Sequence, residues 1–234
     1  MESSSLQSRF IAHRLARRRF LQSLAAAGPA GLLVSLAPAS ALAQAGAPAL
    51  RANVIHRIRG DVRINARPAS IASEIRPGDR VRTGADGEIA FSIGADAFQL
   101  RSQTELAVEG SAAANLIAAL RLTSGAIAAV FGRGAPRTLV GPTVTAGIRG
   151  TGVYMQTGER GTYVCACFGT VDIAATRGSR DRLSVEATRH HAHWALGEAA
   201  PAGSLEAAPL LFHTDEDMDG LERLVGRRAP WVPR

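Results

Sequence analysis

Two short segments carry the residue types from which a metal or redox site is built. Thr162–Phe168 reads Thr-Tyr-Val-Cys-Ala-Cys-Phe, and Arg182–Leu196 reads Arg-Leu-Ser-Val-Glu-Ala-Thr-Arg-His-His-Ala-His-Trp-Ala-Leu. Both stretches have the β-branched, aromatic and alternating character of strands. On a strand, residues i and i+2 share a face. Cys165 and Cys167 therefore point one way, and so do His191 and His193. If the two strands pair with those faces matched, two thiols and two imidazoles converge. That is a Cys2His2 set suited to tetrahedral Zn2+ or to a soft Cu(I) ion. Two other chemistries fit the same residues. Unligated thiols behave as small buried hydrophobes. Tyr163, Cys165 and Cys167 would then form one face of a covered central strand, opposite Val164, Ala166 and Phe168. A disulfide or redox role is the third, although same-face neighbours on an extended strand are poorly placed to bridge each other. The histidines His190, His191 and His193 read as lying on an exposed edge strand.

The elements that must position these groups are β-strands. From Asn53 to Ile173, short apolar or alternating runs such as Val54–Ile58, Ile89–Ile93 and Ile127–Val130 are divided by Gly and Asp turns at intervals of about 8–12 residues. This pattern predicts an all-β fold: a folded-over sheet or β-solenoid-like module. No helical period of useful length competes, except in the Ala-rich patch Ser111–Leu120, which reads as a short helix or a long loop.

Composition supports a single folded module. The chain has 234 residues, 46% of them hydrophobic, with 24 Gly, 2 Cys and only 5% aromatic residues. The core must therefore be aliphatic, and two cysteines cannot build a disulfide scaffold. All 27 basic residues are Arg. Five of them lie in residues 1–43 against Glu2 alone, leaving 22 arginines and 19 acids in the rest. That near balance excludes a nucleic-acid partner read from charge. No nucleophile elbow, phosphate-binding loop, dinucleotide fingerprint or metalloprotease helix is visible, so the reading is non-enzymatic.

Residues 1–45 read as an export leader. Arg17-Arg18-Arg19-Phe20-Leu21 resembles the twin-arginine export motif, with Arg17, Arg18, Phe20 and Leu21 at its centre. An apolar stretch, Leu24–Leu42, follows and is interrupted by Pro29 and Pro38. Ala41-Leu42-Ala43 is a small-residue cleavage signal. The expected product is a periplasmic protein without a membrane span in its mature form. The alternative is an uncleaved anchor.

Three ordered segments resemble the FecR domain. They are Ile75–Thr83, Ile-Arg-Pro-Gly-Asp-Arg-Val-Arg-Thr; Leu122–Ile127, Leu-Thr-Ser-Gly-Ala-Ile; and Thr143–Tyr154, which centres on Arg149-Gly150-Thr151. The motif positions are Gly78, Asp79, Gly125, Arg149, Gly150 and Thr151. The resemblance covers roughly Val54 to Ala174. It implies a periplasmic β module that signals or docks to an envelope protein or cell-wall component. Regulation of a sigma factor from a membrane anchor is a further alternative, at odds with a cleavable leader. From the residues themselves, the Arg-Gly-Thr step reads as a fold-fixing corner, with Gly150 permitting a bulge, or as an anion site at Arg149.

The expected organisation is a leader at 1–45, the FecR-like β domain at 50–176, further strands at 177–200, and a linker with a helix at 201–234. In the last part Thr214 is the expected N-cap, with Met218, Leu221, Leu224 and Val225 as an apolar stripe and Glu222 and Arg223 facing away. Gly226 and Pro230 mark the stop. The stripe is expected to pack on the β domain.

Overall fold

Alternation at period two governs nearly the whole described chain, and the result is one large sheet. The computed structural model describes residues 53–176, 181–197 and 205–233. Residues 1–45, read from the sequence as an export leader, lie outside them. The strands are β1 (Val54–Arg59), β2 (Val62–Ile64), β3 (Arg67–Pro68), β4 (Arg80–Thr83), β5 (Glu88–Ile93), β6 (Asp96–Leu100), β7 (Glu105–Ser111) and β8 (Leu116–Ser124). They continue as β9 (Ala126–Val130), β10 (Arg137–Val140), β11 (Val144–Gly158), β12 (Gly161–Ala175), β13 (Arg182–Ala187), β14 (His191–Leu196) and β15 (Leu205–Ala208). One helix, α1 (Asp215–Leu224), follows. The protein is all-β, a curled half-barrel sheet with a short C-terminal helix.

The sheet runs β1-β5-β6-β9-β11-β10-β8-β7-β4-β2-β3, and β12 adds to β11. Every pairing is antiparallel except β8 with β10. The Ala-rich patch is neither helix nor long loop: it is the tip of the β7–β8 hairpin. Ile117 and Leu120 face inward there, and strand alternation outweighs the helix propensity of the alanines.

The long hairpin β11–β12 joins two halves of the sheet. Its first half, Val144–Arg149, pairs with β10, and the matching end of β12 pairs with β13. Its second half pairs with β9, and the matching end of β12 pairs with β14. Between the halves the register slips twice, once at Gly150-Thr151 on β11 and once at Cys167 on β12. Gly150 sits at φ +57°, a left-handed conformation that glycine adopts without Cβ strain. Arg149 pairs across the strands with Asp172 at 3.1 Å, well exposed. Thr151 is fully buried and donates to the Gly152 carbonyl at 3.2 Å. The Arg-Gly-Thr step thus carries a bulge in β11.

Gly78-Asp79 and Gly125 lie in turns between strands. Asp79 accepts the Arg76 N–H at 2.7 Å and the Asn65 side-chain amide at 2.6 Å, closing the turn that contains Gly78. A Cβ on Gly125 would lie 2.3 Å from the Thr104 hydroxyl, so only glycine fits between β8 and β9.

The sheet has two apolar layers. Inside the curl lie Ile89, Leu106, Leu120, Leu122, Ile127 and Val164, with other aliphatics. Phe98 packs there against Phe91, tilted, and against Phe131, edge to face, with ring centroids 5.1 and 5.7 Å apart. On the other face Ala97, Ala126, Ala128 and Val130 meet Tyr154, Tyr163 and both cysteines, and Met218, Leu221 and Val225 of the C-terminal segment cover them. β6 and β9 are buried on both faces for this reason. Each covering side chain contributes about 1.5–3 kcal/mol.

Helix α1 starts where the sequence places it. Asp217 N–H donates to Thr214 Oγ1 at 3.3 Å, and Thr214 N–H donates to the Asp217 carboxylate at 2.9 Å, a complete capping box. Glu222 differs from expectation: it is only 3% exposed and pairs with Arg227. It lies four residues after Met218 and so shares that face of the helix. Arg223 does face outward. Among the described residues, no helix is long and apolar enough to cross a membrane.

Candidate metal centre

β12 delivers the two thiols to one point. Cys165 and Cys167 are both fully buried on the face that carries Tyr163. The slip at Cys167 turns Phe168 onto the same layer, whereas strict alternation places it opposite. The carbonyl of Cys167 accepts the His190 N–H at 2.9 Å, which anchors the start of β14 beside the bulge.

The imidazoles that meet these thiols are His190 and His213, not His191 and His193. In the β12–β14 pairing Cys165 lies opposite Ala192, while His191 lies opposite Ala166 and His193 opposite Val164. Directly opposed residues share a face, so His191 and His193 belong to the other side of the sheet. β14 is also no edge, because β15 covers it. His190, one residue earlier, leaves the strand at φ +40° and turns its ring back to the thiols. His213 comes from the segment just before Thr214.

Cys165 Sγ lies 3.7 Å from His190 Nδ1, and Cys167 Sγ lies 3.3 Å from His213 Nε2. One donor atom from each of the four residues falls within 4.8 Å of every other. A tetrahedral zinc ion with Zn–S of about 2.3 Å and Zn–N of about 2.0–2.1 Å sets its donors roughly 3.3–3.8 Å apart. The group could hold a metal ion.

The outer nitrogens of both rings are occupied. His190 Nε2 is 2.7 Å from an Asp215 carboxylate oxygen, which only a ring N–H can satisfy. His213 Nδ1 is 2.8 Å from the Leu211 carbonyl and donates to it. These bonds fix the tautomers, so Nδ1 of His190 and Nε2 of His213 turn lone pairs toward the sulfurs. Ligating histidines are oriented in the same way by outer partners. Arg189 also pairs with Asp215 and holds the carboxylate in place.

Aromatic rings wall the site. Tyr154 stacks on His213 at 4.3 Å, and Trp231 lies 5.3 Å from His190. Tyr163 donates to the Pro209 carbonyl at 3.1 Å and accepts the Leu211 N–H at 3.0 Å, pinning the segment that carries His213. Burial pushes the Tyr154 phenol up to about 12. The hydrogen bond from the Cys167 thiol holds Cys165 below the usual thiol range. Burial pushes Cys167 up. One thiolate thus forms readily, as metal ligation requires.

Cys165, His190 and Asp215 also stand in the order of a nucleophilic triad. Cys165 is 0% exposed in this arrangement, beneath the C-terminal segment. Strand geometry pairs Cys165 with Cys167 from the sequence alone, whereas it places neither His190 nor His213 beside them. The signal for His213 is its place one residue ahead of a helix cap, with the acid Asp215 beside it. No protein-family model matches the chain, and no curated protein matches it.

Proposed function

We propose that this protein is an exported, non-enzymatic, FecR-like β module of the periplasm that holds a Zn2+ ion at Cys165, Cys167, His190 and His213. The leader motif supports the compartment, and the three matched segments support the family reading. On this reading its partner is another envelope protein or a cell-wall component. One observation carries the metal: both imidazoles spend their outer N–H on fixed acceptors and aim their remaining lone pairs at two buried thiols. Four protein donors fill a tetrahedral shell and leave no position for substrate, which suits a structural centre rather than a catalytic one. Cu(I) is the second reading, favoured by two soft sulfurs on one strand.

Elemental analysis of full-length, untagged protein tests this directly. The expected result is about one zinc per chain, lost in the Cys165→Ser/Cys167→Ser variant and retained in His191→Ala/His193→Ala. Stoichiometric copper would favour the second reading. Protein that takes up neither metal when titrated would remove the metal centre altogether. Recovery of the chain in the cytosol on cell fractionation would remove the envelope assignment.

A further inference from the structure

The four donors come from two parts of the chain that the core treats differently. Cys165 and Cys167 sit in the middle of β12, and His190 is tied to that strand by its own N–H. His213 belongs to the segment that leads into α1, and Asp215, the first residue of that helix, holds the outer nitrogen of His190. The C-terminal segment therefore supplies one ligand and the orienting carboxylate of another. In the same pose, Met218, Leu221 and Val225 cover Ala97, Ala126, Ala128 and Val130 of β6 and β9.

That cover is not a purely apolar fit. The helix face that docks also buries Asp219 and Glu222, at 8% and 3% exposure, each with an arginine partner. The carboxylates are desolvated while their arginine partners stay partly or largely exposed, so the cost of burying them offsets much of the attraction. Ahead of the helix, Phe212 stands at φ +67°, a conformation that is strained for a bulky side chain and persists only where its surroundings hold it. The residue that follows it is His213. The docked pose thus stores strain beside the ligand and relies on a face of mixed polarity.

We propose that metal binding and docking of the C-terminal segment are one coupled event: the ion clasps residues 211–225 onto β12, and its removal releases them from β6 and β9. This inference rests on the metal-centre reading above and adds the regulation of that site. Occupancy then sets whether the Ala97–Ala128–Val130 face is covered. Because coupling is reciprocal, loosening the helix must weaken the ion's hold by the same factor.

Hydrogen exchange on the full chain, zinc-loaded against chelator-treated, tests the clasp. An opening that dismantles the site is suppressed by 1 + [Zn]/Kd, about 100-fold at zinc 100 times its Kd. Amides of 211–225 should therefore exchange about 100-fold faster after chelation, while β8, which lies outside the covered face, changes far less. Leu221→Ala, which removes no donor, should weaken zinc binding by about tenfold or more. If zinc binds one per chain and 211–225 exchange at an unchanged rate, the clasp is wrong and the metal centre stands. Helix and β8 accelerating together would also overturn it, because the ion would then hold only the whole fold. Failure to bind zinc at all would remove both.

Discussion

The two faces of β12 are built on different chemistry. Val164, Ala166, Val171 and Ile173 join the aliphatic interior of the curl, where burial is the whole of the interaction. Tyr163, Cys165 and Cys167 join a layer of sulfur, aromatic rings and imidazole that the C-terminal segment roofs. The first face is complete when water leaves. The second gathers two thiols and two imidazole lone pairs at one point, an arrangement that four donors share best with a cation. Period-two alternation on one strand thus separates a self-sufficient core from a layer that, on the proposed reading, is completed by an ion.

The sharpest way to break this contrast is to damage the aliphatic side. Phe98→Ala removes the ring that stacks on both Phe91 and Phe131. It should cost about 3–5 kcal/mol in denaturant unfolding, by the same amount with and without chelator. A cost that depended on metal would mean the two layers are not separate. Next in size is Asp215→Asn, which weakens the acceptor that orients His190. Metal affinity should fall by about 10- to 100-fold in a competition titration, while the chelated protein unfolds nearly as before.

Alkali probes the roofed layer from another direction. Burial raises the phenols of both Tyr154 and Tyr163, the first to about 12. Unfolding exposes them to their ordinary value near 10. The folded state therefore binds the extra protons, and its stability is complete below pH 10 and lost as pH rises toward 12. The loss is at most about 1.4 kcal/mol per pH unit for each phenol. Unfolding measured between pH 9 and 11 should show it, and Tyr154→Phe should reduce the slope. The smallest effect belongs to Thr214→Ala, which removes half of the capping box. It should cost about 1 kcal/mol in unfolding of the zinc-loaded protein, and an unchanged midpoint would show that the helix start contributes nothing to the roof.

How far these features were readable from residues alone follows the same division. Alternation and turn glycines point to the sheet, and the bulge at Gly150-Thr151 follows from the backbone freedom of Gly150. Thr214, Asp217 and the apolar stripe marked α1 to the residue. The shared face of Cys165 and Cys167 followed from the geometry of a strand. The histidines did not, because a strand's inward set depends on its pairing register, and a one-residue offset exchanges the faces. His191 and His193 lie on the far side by that single step. His190 reaches the site only through a left-handed turn, and His213 only through a long-range return of the chain. Phe168 changes face because of a bulge at Cys167, and Glu222 is buried because it lies one turn after Met218 on the docked face, where Arg227 pairs with it.

X-ray absorption at the zinc edge of the loaded, full-length protein tests the centre most directly. The Cys2His2 assignment requires a first shell of two sulfurs at about 2.3 Å and two imidazole nitrogens at about 2.0–2.1 Å, unchanged in His191→Ala/His193→Ala. A shell of nitrogen and oxygen without sulfur would contradict it.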